Sequence, residues 1–239
     1  QHRKGAQDKK RAAAFAKLSK EITIAAKLGG PDPDGNPRLR LAIKNARAES
    51  MPKDNIQRAV DKGAGGDGAD FYDIRYEGFG PGGVGVIVEC STDNKNRTAG
   101  DVRSTFGKNG GNLGETGSVS FGFDQVGEIV FPREIGDEET VMEAAIEAGA
   151  SDVESEDEVH VIYTERDDFM EVAGTLDTAF PDYEARSTKL IWKPQNYIEI
   201  DGDPALTLIK LIDALEDLDD VQNVYHSGEI SEGALAAAE

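Results

Sequence analysis

The fold class is decided by residues 128–192, which read EIVFPREIGDEETVMEAAIEAGASDVESEDEVHVIYTERDDFMEVAGTLDTAFPDYEARSTKLIW. Alternating apolar residues and residues at helical spacing divide this stretch into six elements. In chain order these are a strand at 128–131, a helix at 138–148, a short strand near 153, a strand at 159–163, a helix at 168–179 and a strand at 184–192. The βαββαβ order predicts a ferredoxin-like domain, in which the helices cover one face of an antiparallel sheet.

The residues on both sides of this stretch are predicted to form a second sheet domain. In chain order we expect strands at 72–77 and 83–90, a helix at 98–108, a strand at 118–123 and then, beyond the stretch, a helix at 204–215 and a strand at 221–225. The last helix and strand have no partner unless they return to the earlier strands. We therefore predict a discontinuous α+β domain, residues 71–125 plus 194–239, with a ferredoxin-like domain of residues 126–193 inserted into it.

Residues 1–70 predict a basic domain of three helices with a glycine-rich linker. The spacing of apolar residues indicates helices at 6–28 and 38–48. Ser50 is predicted to cap a third helix that holds Pro52 in its first turn. The fold class is therefore α+β and multidomain: a three-helix domain followed by two ferredoxin-like domains, the third domain inserted into the second.

Charge is divided unevenly along the chain. The 239 residues carry a net charge of −20. Residues 1–62 hold 15 Lys and Arg against 7 Asp and Glu, a net charge of +8, whereas the rest holds 11 against 39, a net charge of −28. A basic arm on an acidic body indicates a polyanionic partner for one end of the chain only.

Composition excludes several other classes of protein. No apolar run approaches the roughly 18 residues that a membrane span needs, so no membrane partner is expected. The single cysteine, Cys90, excludes an intramolecular disulfide framework and a zinc site with several cysteines. One cysteine fits a reducing compartment, and we expect a cytoplasmic location.

The basic side chains are the predicted nucleic-acid contacts. In the first 20 residues seven cations are met by one acid, Asp8, which favours contact with phosphates over a solvated helix face. The third helix adds amide and guanidinium groups that can read base edges. A second patch surrounds the helix at 98–108, for which surface decoration paired with Asp93 and Asp101 is an equal alternative. The predicted contacts are Arg3, Lys4, Lys9, Lys10, Arg11, Lys17, Lys20, Arg38, Arg40, Lys44, Arg47, Lys53, Asn55, Arg58, Lys95, Arg97, Arg103 and Lys108.

Nucleotide, metal and catalytic motifs give no positive sign of chemistry. Gly78, Gly80 and Gly83 match GxGxxG, but a strand follows where the dinucleotide motif needs a helix, so a hairpin is predicted. The PDPDGN segment at 31–36 places its glycine too early for a calcium loop. The three histidines lack ligand spacing, and no serine lies in a nucleophile elbow. We therefore expect no cofactor, no metal ion and no enzymatic activity.

Five stretches of the chain together resemble one family. They read HRKGAQDKKRAAAFAKLSKEI from His2, ESMPKDNIQRAVDKG from Glu49, YEGFGPGGVGVIVE from Tyr76, STDNKNRTAGDVRSTFGKNGGNLGETGSVSFGF from Ser91 and ALEDLDDVQNVYHS from Ala214. They span nearly the whole chain and are similar to the YebC/PmpR family, which includes the mitochondrial translational activator of cytochrome c oxidase. The resemblance implies a helical N-terminal domain, two α+β domains and a non-enzymatic role in gene expression.

The resemblance implies two possible roles, transcriptional regulation through DNA and relief of stalled translation through ribosomal RNA, for example at proline runs. A body with a net charge of −28 is repelled by a long duplex, whereas an arm of +8 suits a confined RNA site. A ribosome-associated translation factor is therefore the first expectation. The Met51–Pro52 corner, flanked by Lys53 and Arg58, would form its functional tip.

Two alternatives stay open at this point. Three short helices with Asn55 and Arg58 on the last of them could act as a helix-turn-helix reader in the major groove of DNA. Ferredoxin-like domains also serve as ligand sensors or protein-interaction adaptors. The expected partners are thus ribosomal RNA or DNA and the ribosome, and the oligomeric state stays open.

Overall fold

A computed structural model describes residues 2–66 and 70–239, with side chains from residue 10 onward. The helices in this part of the chain are α1 His2–Gly29, α2 Pro37–Ala48, α3 Lys53–Ala64, α4 Lys95–Lys108, α5 Glu138–Ala148, α6 Phe169–Ala179, α7 Gly202–Glu216 and α8 Glu232–Ala238. The strands are β1 Tyr72–Phe79, β2 Gly85–Thr92, β3 Asn112–Leu113, β4 Phe123–Pro132, β5 Asp152–Ser155, β6 Val159–Glu165, β7 Ser187–Pro194, β8 Ile198–Ile200, β9 Val221–His226 and β10 Gly228–Ile230. The predicted glycine-rich linker includes residues 67–69, which lie outside the described residues.

The chain divides into two compact units. The first unit holds residues 1–68 and 125–191, and the second holds residues 69–124 and 192–239. Helices come first along the chain and antiparallel sheets follow, so the predicted α+β fold class is confirmed.

Three helices form the N-terminal part of the first unit, around a core that includes Ile22, Leu39 and Ala46. The buried side chain of Asn36 connects two of these helices. Its Nδ2 donates to the carbonyls of Ala25 and Gly30 at 2.8 and 2.9 Å, and its Oδ1 accepts from the N–H of Leu39 at 3.2 Å. One amide therefore satisfies backbone groups at the end of α1 and at the start of α2, where helix termini leave them unpaired.

A four-stranded sheet with strand order β5-β6-β4-β7 forms the rest of the first unit. Strand β6 pairs antiparallel with both β4 and β5. Ile129, Phe131 and Ile162 from the strands share a core with Val141 of α5 and Leu176 of α6. The element order β4-α5-β5-β6-α6-β7 is the βαββαβ order that the sequence predicts, and α5 has the predicted bounds.

The second unit is built on a four-stranded sheet with strand order β3-β1-β2-β9. Strand β1 pairs antiparallel with β2, from Tyr72 opposite Thr92 to Phe79 opposite Gly85. Helices α4 and α7 share a core with the face of β2 that carries Val86. Along the chain this sheet is built from β1, β2, α4 and β3 and then, after residues 125–191 of the first unit, from α7 and β9. Its strands are therefore connected in a different order from those of a βαββαβ domain.

The glycines of the GxGxxG match lie in the β1–β2 hairpin, as predicted. Gly82 and Gly83 have φ angles of 73° and 78°, in the left-handed region that favours glycine. A side chain at Gly78 would come within 2.7 Å of the ring of Phe106. Gly82 and Gly83 therefore allow the turn of the hairpin, and Gly78 allows α4 to pack closely on β1.

The predicted strand at 118–123 is wrong. Ser120–Gly122 is a 3-10 turn, and β4 begins only at Phe123. The cause is the buried carboxylate of Glu77, which accepts from the N–H groups of Gly117 and Ser120 at 2.6 Å and from that of Val119 at 3.1 Å. Backbone donors that bind a carboxylate are not free to pair with a neighbouring strand.

Other differences arise at short or cap positions. Pro52 is the N-cap residue of α3, whereas the sequence predicts Ser50 in that role and Pro52 in the first turn. The sequence also missed β3, β8 and β10, which have two or three residues each, and the terminal helix α8. Elements this short lack enough periodicity to be recognised.

Glu77 yields a test of what holds the second unit together. Burial by itself raises the pKa of Glu77, but the backbone hydrogen bonds from Gly117, Ser120 and Val119 outweigh burial and lower the pKa below its ordinary value of 4.5. We expect Glu77→Gln to lower the free energy of unfolding by about 1–3 kcal/mol, because an amide nitrogen would face donors that now bind oxygen. Denaturant unfolding at pH 7 measures this difference, and Glu115→Gln in the same segment, exposed to solvent, is the matched control.

The pH dependence of Glu77→Gln has a defined sign. Because the pKa of Glu77 is lower in the folded than in the unfolded chain, its stabilisation is fully present above about pH 4.5 and is lost as the pH falls through the folded value. The difference between wild type and Glu77→Gln should therefore shrink below pH 4.5. A difference that stays constant into acid would contradict this role for the carboxylate.

Candidate nucleic-acid interface

The cations predicted in the first helix lie along α1. Arg3, Lys4 and Lys9 belong to its first turns, and their side chains lie outside the described residues. Lys10 and Arg11 are exposed. The guanidinium of Arg11 lies 5.4 Å from the centre of the Phe15 ring. Farther along the helix, Lys17 and Lys20 are partly buried.

The four cations of α2 differ in how far they are already engaged. Arg38 donates from Nε and Nη2 to the two carboxylate oxygens of Glu21, at 2.8 and 3.2 Å. The ammonium of Lys44 lies 2.7 Å from a carboxylate oxygen of Asp177 in α6. Arg40 donates to a backbone carbonyl and is exposed, as is Arg47. Arg40 and Arg47 therefore offer more to a polyanion than Arg38 and Lys44 do.

Helix α3 presents its predicted contacts to solvent. Lys53, Asn55 and Arg58 are all exposed, while Ile56, Ala59 and Val60 are buried. Asp54 and Asp61 are exposed on the same helix, and Gln57 donates to Asp61 at 2.9 Å. The solvent face of α3 is thus mixed in charge, in contrast to the start of α1.

The Met51–Pro52 corner is not an exposed tip as a whole. Met51 is only 5% exposed and belongs to the helical core, with its sulfur 3.9 Å from the hydroxyl of Ser19. Ser50 has a φ of 62°, and the N–H of Met51 donates to the carbonyl of Ala46 at 3.0 Å, so the chain turns inward there. This corrects the expectation that Met51 lies at an exposed tip, and of the two residues only Pro52 is exposed.

One cation of the second predicted patch, Arg97, is held by carboxylates. Arg97 bonds to Asp93 at 2.8 Å and to Asp220 at 3.0 Å, and these hydrogen bonds raise the pKa of its guanidinium. The ammonium of Lys95 lies 4.4 Å from the centre of the Tyr72 ring. Arg103 and Lys108 are exposed along α4. The alternative of surface pairing therefore describes Arg97, with Asp220 as a partner that the sequence did not indicate.

A cavity beside the start of α4 has a strongly acidic lining. It has a volume of about 620 Å³ and is lined by aspartates together with Arg97 and Thr98. The aspartates are Asp93, Asp101, Asp217, Asp219 and Asp220. Their charge opposes the attraction that the N-terminus of α4 would exert on an anion.

The described residues were compared with the requirements of a metal site and of a membrane-spanning helix. Among the side chains that the structure describes, in residues 10–66 and 70–239, no group of three or more His, Cys, Asp or Glu residues is arranged to hold a metal ion. His160, the buried histidine of β6, instead shares hydrogen bonds with Ser155 and with the carbonyl of Gly136. No helix in the same residues is long and apolar enough to cross a bilayer.

Comparison with known proteins gives the family. A family model described as the TACO1/YebC protein N-terminal domain matches residues 1–66, and one described as the TACO1/YebC second and third domain matches residues 71–228. The chain belongs to the TACO1/YebC family. This agrees with the resemblance drawn from the sequence and supports a regulator of gene expression.

Similar TACO1/YebC proteins match over almost their entire length. A probable transcriptional regulatory protein of Maricaulis maris is 64% identical over 242 residues, covering 99% of this chain and 95% of its own. Another, of Hyphomonas neptunium, is 62% identical over 237 residues, covering 99% and 94%. The crystal structure of a conserved hypothetical protein of Aquifex aeolicus superposes with a TM-score of 0.84 at 46% identity, covering 93% of this chain and 91% of its own.

Some residues that come together from distant parts of the chain are absent from the predicted contacts. The side-chain amide of Asn45 in α2 accepts from the N–H of Thr188 and donates to its carbonyl, both at 2.9 Å. Asp177 and Tyr183 lie beside the same helix, along a groove lined by both. An asparagine in the middle of a helix was the one signal in the sequence, since this residue disfavours helix interiors unless its amide has a partner.

The buried position of Met51 yields a prediction. Met51→Ala should lower the free energy of unfolding by about 2–5 kcal/mol, because it leaves a cavity in the helical core. Pro52→Ala is the adjacent control and should cost about 1 kcal/mol or less, since it mainly frees the unfolded chain. Denaturant unfolding of the whole chain measures both. Equal stability of Met51→Ala and wild type would show that Met51 does not support the core.

Proposed function

We propose that this chain is a non-enzymatic RNA-binding regulator of gene expression that acts on ribosomal RNA and relieves stalled translation, for example at proline runs. Family membership supports the general class of regulator. The observation that carries the RNA assignment is the net charge of +8 in residues 1–62 of a chain whose total is −20. Exposed Lys10 and Arg11 of α1 are the described part of that charge nearest the N-terminus.

The distribution of acids supports a confined RNA site over a long duplex. Residues 125–191, in the same compact unit as the helices, hold 4 Lys and Arg against 19 Asp and Glu. A double helix lying along this unit would bring many phosphates towards these carboxylates, which repel them. A short contact through α1 keeps most of the polyanion away from them.

Transcriptional regulation through DNA is the second candidate, and one observation favours it. Asn55 and Arg58 are exposed, three residues apart on α3, where their side chains can reach base edges. The exposed carboxylates of Asp54 and Asp61 on the same helix weigh against this reading, because they would approach the phosphates that flank the bases. An adaptor that binds no nucleic acid is the third candidate.

A charge reversal tests the proposal. Lys9, Lys10 and Arg11 changed together to Glu should remove the chain from ribosomes in co-sedimentation and slow the synthesis of a reporter with a proline run. A reporter without the run should be made at the normal rate. The reason is that phosphate contacts position a protein on RNA without reading its sequence. Arg166, Arg186 and Lys210 changed together to Glu, all exposed and outside the predicted contacts, control for the same change in net charge.

The outcomes separate the three candidates. Normal proline-run synthesis in cells lacking the chain, together with no co-sedimentation, would contradict the translation role. Loss of promoter-specific binding in Asn55→Ala or Arg58→Ala, with no response of the proline reporter, would support the DNA role instead. Purified chain that carries no nucleic acid, judged by absorbance at 260 and 280 nm before and after a high-salt wash, would support the adaptor.

A further inference from the structure

A groove of about 750 Å³ lies between α2 and α6 in the first compact unit. Small-molecule and cofactor sites commonly have volumes of about 300–1,000 Å³, so the groove has room for a nucleotide. Its basic wall is formed by Arg40, Lys44 and Arg47 of α2. The opposite wall comes from residues more than 120 positions away in the sequence, including Met170 and Tyr183.

Three contacts hold the two walls of this groove together. The amide of Asn45 pairs with both backbone groups of Thr188 at 2.9 Å, as a neighbouring strand would. Lys44 and Asp177 form an ion pair at 2.7 Å. Leu41 of α2 also packs against the core beneath α5 and α6. The groove is therefore formed before any ligand arrives, which lowers the cost of ordering it on binding.

The groove displays the groups that bind a nucleotide. Tyr183 and Met170 are 40% and 43% exposed on the wall of the groove, and a base can stack on a tyrosine ring. Arg40 and Arg47 on the other wall are exposed guanidinium groups, which suit a phosphate. Thr188 is only 1% exposed, yet its Oγ1 has no hydrogen-bond partner among the described residues. A buried polar group of this kind is normally hydrogen-bonded to a protein group or an ordered water.

We propose that this groove binds one nucleotide of single-stranded RNA, with the base against Tyr183 and Met170 and the phosphate on Arg40 and Arg47. The proposal rests on the RNA-binding function proposed above and adds a second contact to that of α1. The groove is also lined by the carboxylates of Asp34 and Glu184, which repel a run of phosphates. A single unpaired nucleotide satisfies both walls, whereas a duplex does not.

Affinity for a single-stranded RNA of ten nucleotides without secondary structure, measured with the whole chain, tests this proposal. Tyr183→Ala should weaken binding by about 5- to 100-fold, in line with the usual contribution of one stacked base. Tyr183→Phe should bind like wild type because it retains the ring. Phe121→Ala is the matched control: its exposed aromatic side chain lies outside the groove, so affinity should not change.

A second measurement keeps the result independent of folding. RNA carrying 4-thiouridine should crosslink to the peptide that contains Tyr183, and a thermal melt of each variant should match wild type because the ring is partly exposed. RNA binding that is unaffected by Tyr183→Ala would overturn the groove while leaving the proposed function intact. A wild-type chain that binds no RNA would overturn both.

Discussion

The first compact unit carries a basic stretch and an acidic stretch together, and pairing between the two decides which cations stay accessible. Residues 1–62 have a net charge of +8, and residues 125–191 of the same unit hold 15 more acids than bases. Cations that approach those acids are neutralised, as Lys44 is by Asp177 at 2.7 Å. Arg38 is engaged by Glu21 within the helical region itself. The cations that these pairs leave accessible to a polyanion include Lys10 and Arg11 of α1, Arg40 and Arg47 of α2, and Arg58 of α3.

Two neutral amide side chains form hydrogen bonds that connect separate elements of this unit. Asn36 caps α2 and also donates to two carbonyls at the end of α1. Asn45 of α2 donates to the carbonyl of Thr188 and accepts from its N–H. An amide can donate and accept at once, so each of these side chains satisfies groups that one cation could not. In the second unit the corresponding role falls to a carboxylate, Glu77, because the segment that it holds presents only N–H donors.

The sequence predicted most of the architecture and less of the site. The bounds of α5 could be read because Asp137 caps the helix and the left-handed Gly149 ends it, both local signals. The turn at Ser120–Gly122 could not, because its cause is a carboxylate more than 40 residues away. Distance in sequence also hid the pairing of Arg97 with Asp220, which is 123 positions away, and the approach of Tyr183 to the groove beside α2. Local patterns report helices and strands, whereas long-range pairing decides which charges stay accessible.

If accessible cations of this otherwise acidic chain bind phosphates, the affinity for RNA must depend on salt. Fluorescence anisotropy of a labelled single-stranded RNA, titrated with the whole chain at several concentrations of KCl, gives the binding constant at each. Phosphate binding predicts that the logarithm of the binding constant falls linearly with the logarithm of the salt concentration. The expected slope is about −0.7 per phosphate contacted, a total of roughly −2 to −4. An affinity that does not change with salt, or no binding at low salt, would contradict it.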